Sequence, residues 1–454
     1  MFDDKQLALS GRNYTIGRIN QAVGPGRKGT VVLLALFLNV TKMRELNWAM
    51  TSSSTKLGFV EQVVLLAMMI SMVALSIDVM LPALLPISQD LQANSPNDRQ
   101  YVISAVFLGL AVGQLFYGPI SDSTGRKPAI YFGFGLFLVG CLLSIFAENF
   151  TVMLIGRFLQ GLGVASPRIV SLALIRDQYE GREMARFVSL VMTVFILVPI
   201  LAPAVGQGIL FFAEWRMIFV TLFMLGFATL LWFGLRQEET LVPEKRAPFS
   251  LRRIWRAVKE VIYTRAAFGF TMVGGFIFSA FLGYLTMSQQ IFQDQYGVGE
   301  MFAVYFGVLA LAIGAASFVN ARLVMRFGMR QLSYIALIIL TSISFLFLVF
   351  TYITIGHPPL WTLVSFFMIA FFCIGILFGN FNAMAMEPLG HIAGVAAAVI
   401  GSITTFVSMG LGTLIAQFYD GTVLPLIAGF ACLGALSLAA MIWTVRTSKT
   451  LPGS

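Results

Sequence analysis

Charge is what this sequence has least of. Of its 454 residues only 11% are charged, where a soluble globular chain carries about 25%. That deficit excludes a water-soluble globular domain and a disordered chain alike. Histidine is nearly absent at two residues, and cysteine stops at three. Cys141, Cys373 and Cys432 sit far apart in long apolar runs and form no C-x-x-C pair, so they read as small buried hydrophobes rather than disulfide partners or metal ligands. His357 and His391 fall in short loops, which leaves a His/Cys metal centre nothing to be built from. A G-x-x-x-x-G-K-[ST] nucleotide loop is missing too. No nucleophile–base or metal set is evident, so an enzyme is not expected, nor is a bound cofactor.

What is present is apolar. Hydrophobic residues make up 58%, with 42 Phe, 42 Gly and 22 Met, and the mean hydropathy is +0.85. The expected solvent is a lipid bilayer, which a helix crosses in about 20 mostly apolar residues. Apolar runs between turn and charge clusters predict twelve crossings. Six lie near Gln62–Pro86, Gln100–Ile120, Ala129–Ala147, Thr151–Ile175, Phe187–Leu210 and Met217–Leu235. Six more lie near Ala266–Gln290, Phe302–Val324, Leu332–Ile355, Leu360–Met386, Gly394–Phe418 and Val423–Val445. The fold class is an all-α membrane protein of two six-helix bundles. Its expected parts are an N-terminal tail (1–60), a first bundle (61–235), a polar connector (236–264), a second bundle (265–445) and a short tail (446–454). Within the connector, Leu251–Ile262 has the spacing of a surface amphipathic helix, but a solvated linker is the expected form.

The net charge of +9 is unevenly spread. If the N-terminus is cytoplasmic, one side collects Arg126, Lys127, Arg176, Arg182, Arg186, the connector cluster, Arg326, Arg330, Arg446 and Lys449, against Arg99 and Arg216 opposite. The positive-inside bias then places both termini and the connector in the cytoplasm. It explains the basic balance without nucleic acid. The first fifty residues fit poorly: Thr30–Val40 is too short to cross, and Asn39–Arg44 is a poor signal-peptidase site. Met50 opens Met-Thr-Ser-Ser-Ser-Thr-Lys and is the expected natural start, with 1–49 an extension of the reading frame; a genuine but disordered tail is the alternative.

A trace of duplication supports the two halves. After the second crossing comes Gly118-Pro-Ile-Ser-Asp122-Ser-Thr-Gly125-Arg126-Lys127; after the eighth comes Ala321-Arg-Leu-Val-Met-Arg326-Phe-Gly328-Met-Arg330. Both put a glycine and basic residues into a tight turn, and the second copy lacks the acid.

Charges inside the crossings are costly and persist for function or with a partner. Three stand out: Asp78, Arg157 and Arg168. Asp78 lies eight residues before Pro86, roughly 12 Å from the outer end of its span, and Arg157 roughly 9 Å from the outer end of its own, so the two can pair. Arg168 follows Arg157 by eleven residues, which returns it to within about 20° of the same helix face. Gly161 and Gly163 between them admit a close neighbour or leave room for a substrate. The residues alone leave two readings open for Asp78: a proton carrier, or a structural Asp–Arg tie between the first and fourth spans. Arg168 is a candidate substrate or gating residue, or a cation that snorkels.

These motifs resemble those of the major facilitator superfamily. Gly118–Lys127 is similar to its G-x-x-x-D-x-x-G-R-[RK] loop, and Arg157-Phe-Leu-Gln160-Gly161-Leu-Gly163 to its R-x-x-Q-G-x-G motif. Pro199-Ile-Leu-Ala-Pro203-Ala-Val-Gly206-Gln-Gly208 resembles the Pro/Gly motif of its drug–proton antiporters. Ser76-Ile-Asp78-Val-Met-Leu-Pro82 and Arg176-Asp177 resemble the Bcr/CflA drug-resistance subfamily. Two departures stand out. Ser123 replaces the usual basic residue after the loop acid, and Met69–Met72 lacks the second acid of some relatives.

The resemblance implies a proton-coupled exporter of small amphipathic drugs, of bicyclomycin or chloramphenicol type, in the bacterial inner membrane. The proton gradient is its energy source. Asp78 and Arg157 are the implied coupling pair. Gly118, Asp122, Gly125, Arg126 and Lys127 form the implied cytoplasmic gate loop, with Asp122 facing the start of the eleventh span near Gly394. Pro199, Pro203 and Gly206 form a hinge against the second half. Arg168, Gln160, Tyr284, Phe281 and Asn380 are candidate substrate contacts, with Gln289 and Asn382 behind them. The expected partners are a drug, protons and lipid. A monomer suffices because one chain carries both halves. A metabolite exporter or symporter of the same fold is the alternative. A non-transporting receptor would be expected to carry a soluble signalling domain.

Overall fold

The computed structural model describes residues 57–448. The expected tail up to residue 56, the Met50 start and the C-terminal tail from residue 449 lie outside the described residues. The described chain is helical throughout. In order the helices are α1 (Phe59–Asp78), α2 (Leu84–Asp90), α3 (Tyr101–Thr124), α4 (Arg126–Ile145), α5 (Phe150–Gln178), α6 (Gly181–Phe212) and α7 (Arg216–Arg236). Then come α8 (Leu251–Tyr263), α9 (Arg265–Gln289), α10 (Phe302–Phe327), α11 (Met329–Ile353), α12 (Leu360–Met386), α13 (Ala393–Gln417) and α14 (Leu424–Ser448).

Among the described residues, eleven stretches are long and apolar enough to cross a bilayer. The longest, Leu360–Gln417, is two crossings, because α12 and α13 are joined by the 3-10 turn Glu387–Ile392. The crossings among the described residues thus number twelve, as expected. One differs in form. The first span is broken: α1 stops at Asp78, a 3-10 turn covers Leu81–Ala83, and α2 resumes at Leu84. Pro82 is the cause. It lacks the N–H that would bond the Asp78 carbonyl four residues back, and its ring clashes with that carbonyl.

Within the first half, α3 and α4 pack on α5, α1 on α5 and α6, and α4 on α7. Within the second, α9 packs on α12, α13 and α14, α10 on α12, and α11 on α12 and α14. Two seams join the halves, α3 against α13 and α6 against α10. Glycine makes the first bundle tight. A Cβ on Gly161 would lie 1.9 Å from the Val106 carbonyl oxygen, and one on Gly163 2.5 Å from the Phe137 nitrogen. These glycines therefore carry backbone packing, leaving no room there for substrate.

The two repeat turns share a backbone. Gly125 (φ 109°, ψ 163°) and Gly328 (φ 77°, ψ 156°) each end one helix and start the next in a conformation that favours glycine. The connector is more ordered than expected. Leu251–Tyr263 is a helix capped by the Ser250 hydroxyl, which accepts from the Arg253 N–H at 3.3 Å, and it packs against α13 and α9.

Candidate functional site

Asp78 ends α1 at the break, 6% exposed. Its carboxyl makes no hydrogen bond or ion pair with a described residue. Three helices converge on it. The break packs on α9. Gly206 of α6 faces the next residue: a Cβ there would sit 1.8 Å from the Val79 carbonyl oxygen and 3.2 Å from Pro82. The Pro/Gly segment thus abuts the first span at its break. Its other side meets the second half, where a Cβ on Gly307 or Gly314 of α10 would reach the Ile200 carbonyl at 3.3 Å or the Ile196 side chain at 3.0 Å. Pro199 and Pro203 lie inside a helix that stays continuous from Gly181 to Phe212.

Arg157 is fully buried. The direct pairing with Asp78 that the depths allow is not made in this conformation. The guanidinium instead donates to the Ser76 carbonyl at 2.7 Å, the Val102 carbonyl at 3.1 Å and Gln160 Oε1 at 2.5 Å. The physical reason is the break itself. The last carbonyls of a helix have no partner within it and carry its negative dipole end, so a cation there is stabilising. Arg157 therefore reaches Asp78 through two residues of backbone.

Gln160 passes the connection on, donating to Ser144 Oγ at 3.0 Å. Its amide is engaged at both ends and buried, so it does not face a substrate. Asn380 is similarly engaged, exchanging hydrogen bonds of 3.0 Å with Asn320 across α12 and α10. Tyr284 is buried among the rings of Phe281, Phe292, Phe306, Phe367 and Phe371, and its hydroxyl has no hydrogen-bond partner among the described residues. Phe281 is half-buried and stacks on Phe278, which meets Phe107 of the first half at 6.2 Å. Arg168 is half-buried, and its guanidinium makes no hydrogen bond or ion pair with a described residue. Asn382 is exposed.

The loop residues assemble at the connector end. Arg126 bonds Asp122 at 2.6 Å and Asp177 at 2.8 Å. Glu239 caps the start of α4, accepting from the backbone N–H groups of Arg126 (2.9 Å) and Lys127 (3.0 Å), and thereby crowds Gly125. Lys127 Nζ caps the end of α7 on the Gln237 carbonyl at 2.7 Å. Gly118 faces Ala398 of α13. The contact expected between Asp122 and the start of α13 is not made. The connector lies alongside instead: the Ala247 N–H donates to the Asp122 carbonyl at 3.0 Å, and Pro248 and Arg253 line a small cleft together with Asp122 and Val395.

At the opposite end a polar network ties the halves together, and sequence reasoning missed it. Arg99 bonds Asp294 at 2.5 Å and Gln289 at 2.8 Å. Gln100 donates to Gln290 at 2.6 Å, Gln290 to Asn97 at 2.9 Å, and Gln417 to the Asn97 carbonyl at 3.1 Å. Ser104 and Thr413 hydroxyls meet at 2.6 Å. Tyr419 donates to the Gln290 carbonyl, and burial, with Asp294 nearby, pushes its phenol up to about 12, so it remains a donor at neutral pH. The available signal was five polar residues, Gln289, Gln290, Gln293, Asp294 and Gln295, closing an apolar run.

Two helical bundles meeting along two seams, with a carboxyl buried at a broken helix, define a two-bundle membrane transporter. The chain belongs to the major facilitator superfamily, whose family profile it matches over residues 64–413. It is 34% identical over 75% of its length to an uncharacterized MFS-type transporter of Bacillus subtilis, YdgK, covering 84% of that protein. It is 31% identical over 82% of its length to a bicyclomycin resistance protein homolog of Haemophilus influenzae, covering 94% of it. It is 29% identical over 72% of its length to the multidrug resistance protein MdtL of Escherichia coli, covering 80% of it. Among solved structures, a peptide transporter POT in complex with sulfate aligns at a TM-score of 0.69 and 14% identity over 87% of this chain and 96% of that one. The xylose transporter XylE of E. coli aligns at 0.65 and 12% over 85% and 97%. These two share the fold.

Proposed function

We propose that this protein is a proton-coupled exporter of small amphipathic drugs in a bacterial inner membrane, with both termini cytoplasmic. The observation that carries the reading is Asp78. It is a buried carboxyl with no partner among the described residues, at a helix break where both halves of the molecule meet. A lone carboxylate in a low-dielectric site is costly, and protonation removes that cost. Binding a proton and binding a drug near the Phe107–Phe278–Phe281 rings then become competing events. Their alternation couples inward proton flow to outward drug movement. Arg157 acts through the backbone it caps, holding the broken end of α1 in place. The resistance proteins among the relatives support a drug as cargo, and the bicyclomycin type is the first to test. Proton movement is the energy source, without a further cofactor, and one chain suffices.

The test is everted membrane vesicles carrying wild type or Asp78→Asn, with drug and proton fluxes measured together. The variant should fold, bind drug and fail to exchange it for protons. Undiminished drug–proton exchange by the variant ends the assignment. A susceptibility panel in an exporter-deficient bacterium, with and without a protonophore, identifies the drug.

A further inference from the structure

The proposed transport mechanism assigns α8 no role, and the surface of this helix is divided in an informative way. At 100° per residue its residues fall into four sectors. One holds Ile254, Ala257 and Val261, which are buried against the protein. The next holds Leu251, Trp255, Val258 and Ile262, an apolar strip in which Trp255 is 62% exposed. The third holds Arg252, Arg256 and Lys259, with Tyr263 at the end of the helix, all exposed. The last holds Arg253 and Glu260, and Glu260 bonds His391 at 2.6 Å on the turn between α12 and α13. Moving around the helix, the order is protein, apolar surface, positive charge, mixed polar surface. A helix lying in the boundary of a bilayer meets its surroundings in that order: bundle, acyl chains, headgroups, water.

The apolar strip also opens onto a crevice. A cavity of about 390 Å³ lies between α3 (Leu115, Phe116), α8 (Ile254, Trp255) and α13 (Val399, Ile403), and its lining is almost wholly apolar. It spans the α3–α13 seam between the two halves. Lys259 stands over the Trp255 ring at 5.8 Å, which brings the cationic sector to the mouth of this crevice.

We propose that α8 and this crevice form a binding site for an anionic phospholipid of the surrounding bilayer. An acyl chain fills the crevice, and the headgroup phosphate lies on Arg252, Arg256 and Lys259. Charge complementarity selects the lipid. A zwitterionic headgroup brings its own ammonium close to these cations, whereas phosphatidylglycerol brings none. The bound lipid touches both halves at once.

The experiment uses the full-length protein in nanodiscs of phosphatidylcholine, with a brominated-tail lipid added at equal mole fraction as either phosphatidylglycerol or phosphatidylcholine. Trp255 emission is isolated by subtracting Trp255→Phe measured in parallel. Brominated phosphatidylglycerol should quench Trp255 severalfold more strongly than brominated phosphatidylcholine. That preference should vanish in the combined R252Q/R256Q/K259Q variant and persist in Arg253→Gln, whose side chain lies in the water-facing sector. Equal quenching by the two lipids overturns headgroup selection. Absence of any Trp255-dependent quenching overturns the interfacial placement of α8. A preference retained by the combined variant overturns the assignment of the three cations. All the altered side chains are exposed, and a single symmetric elution peak confirms that each variant folds.

Discussion

Gly206 of α6 lies so close to Val79, the residue after Asp78, that a single added carbon would stand 1.8 Å from the Val79 carbonyl oxygen. The break in the first span and the Pro/Gly segment of the fifth therefore share one packed junction, and α6 also packs on α10 of the other half through Ile196 and Ile200. Any rocking of the halves that moves α6 is felt at the carboxyl. Gly206→Ala should separate α6 from α1 or displace the break, at a cost above the about 1–3 kcal/mol typical of overpacking. Transport should fall with it. Gly208→Ala, where the added carbon meets nothing within 4 Å, is the matched control. Equal melting temperatures for the two variants in detergent would refute the close packing.

Arg157 caps the broken end of α1 and bonds three acceptors in the dry interior. Arg157→Ala leaves the Ser76 and Val102 carbonyls without that donor and Gln160 Oε1 unpaired. The expected loss of stability is at least about 2 kcal/mol, since each orphaned buried polar group costs roughly 1–3. Arg157→Lys should recover only part of it, because an ammonium does not reproduce the fork of a guanidinium. Thermal unfolding of the purified variants checks the order: wild type, then Lys, then Ala.

Arg99 and Asp294 hold the halves together at the end opposite the connector. Removing the charge with Asp294→Asn should raise the population open at that end severalfold. Spin labels on the exposed positions Asn94 and Phe418 report it as a longer-distance component in pulsed dipolar spectra. An unchanged distance distribution would mean that the neighbouring amide network closes this end unaided.

Asn320 and Asn380 exchange two hydrogen bonds between α10 and α12. Asn380→Leu alone should cost about 1 kcal/mol, the usual scale of a polar contact between helices in lipid. Adding Asn320→Leu should restore most of it, because no amide is then left unpaired. A double-mutant cycle on melting temperature gives the coupling. Strictly additive effects would show that the pair contributes nothing as a pair.

The helices that cross the bilayer, the basic end, the glycine turns at Gly125 and Gly328 and the buried charges Asp78 and Arg157 were legible in the sequence. Each depends on local chemistry: an apolar run long enough for hydrocarbon, a glycine where φ is positive, a charge where lipid should be. The break after Asp78 was legible in principle, because Pro82 removes the N–H that its carbonyl needs four residues back. Gln160 and Asn380 were not legible as structural bonds. Their partners, Ser144 and Asn320, lie 16 and 60 residues away, and the face each helix turns toward its neighbour is set by packing.

Sequence alone determined the solvent of this protein, the number of its crossings and the family to which it belongs, because those follow from composition and short motifs. Tertiary structure alone decided which groups meet. It turned Arg157 from a partner of Asp78 into the cap of its helix, laid the connector beside Asp122, and joined Arg99 to Asp294 across the two halves. In lipid the apolar surfaces of helices are nearly interchangeable, so their rotation is fixed by close-packed glycines and a few polar contacts between distant segments, and no single segment carries that information.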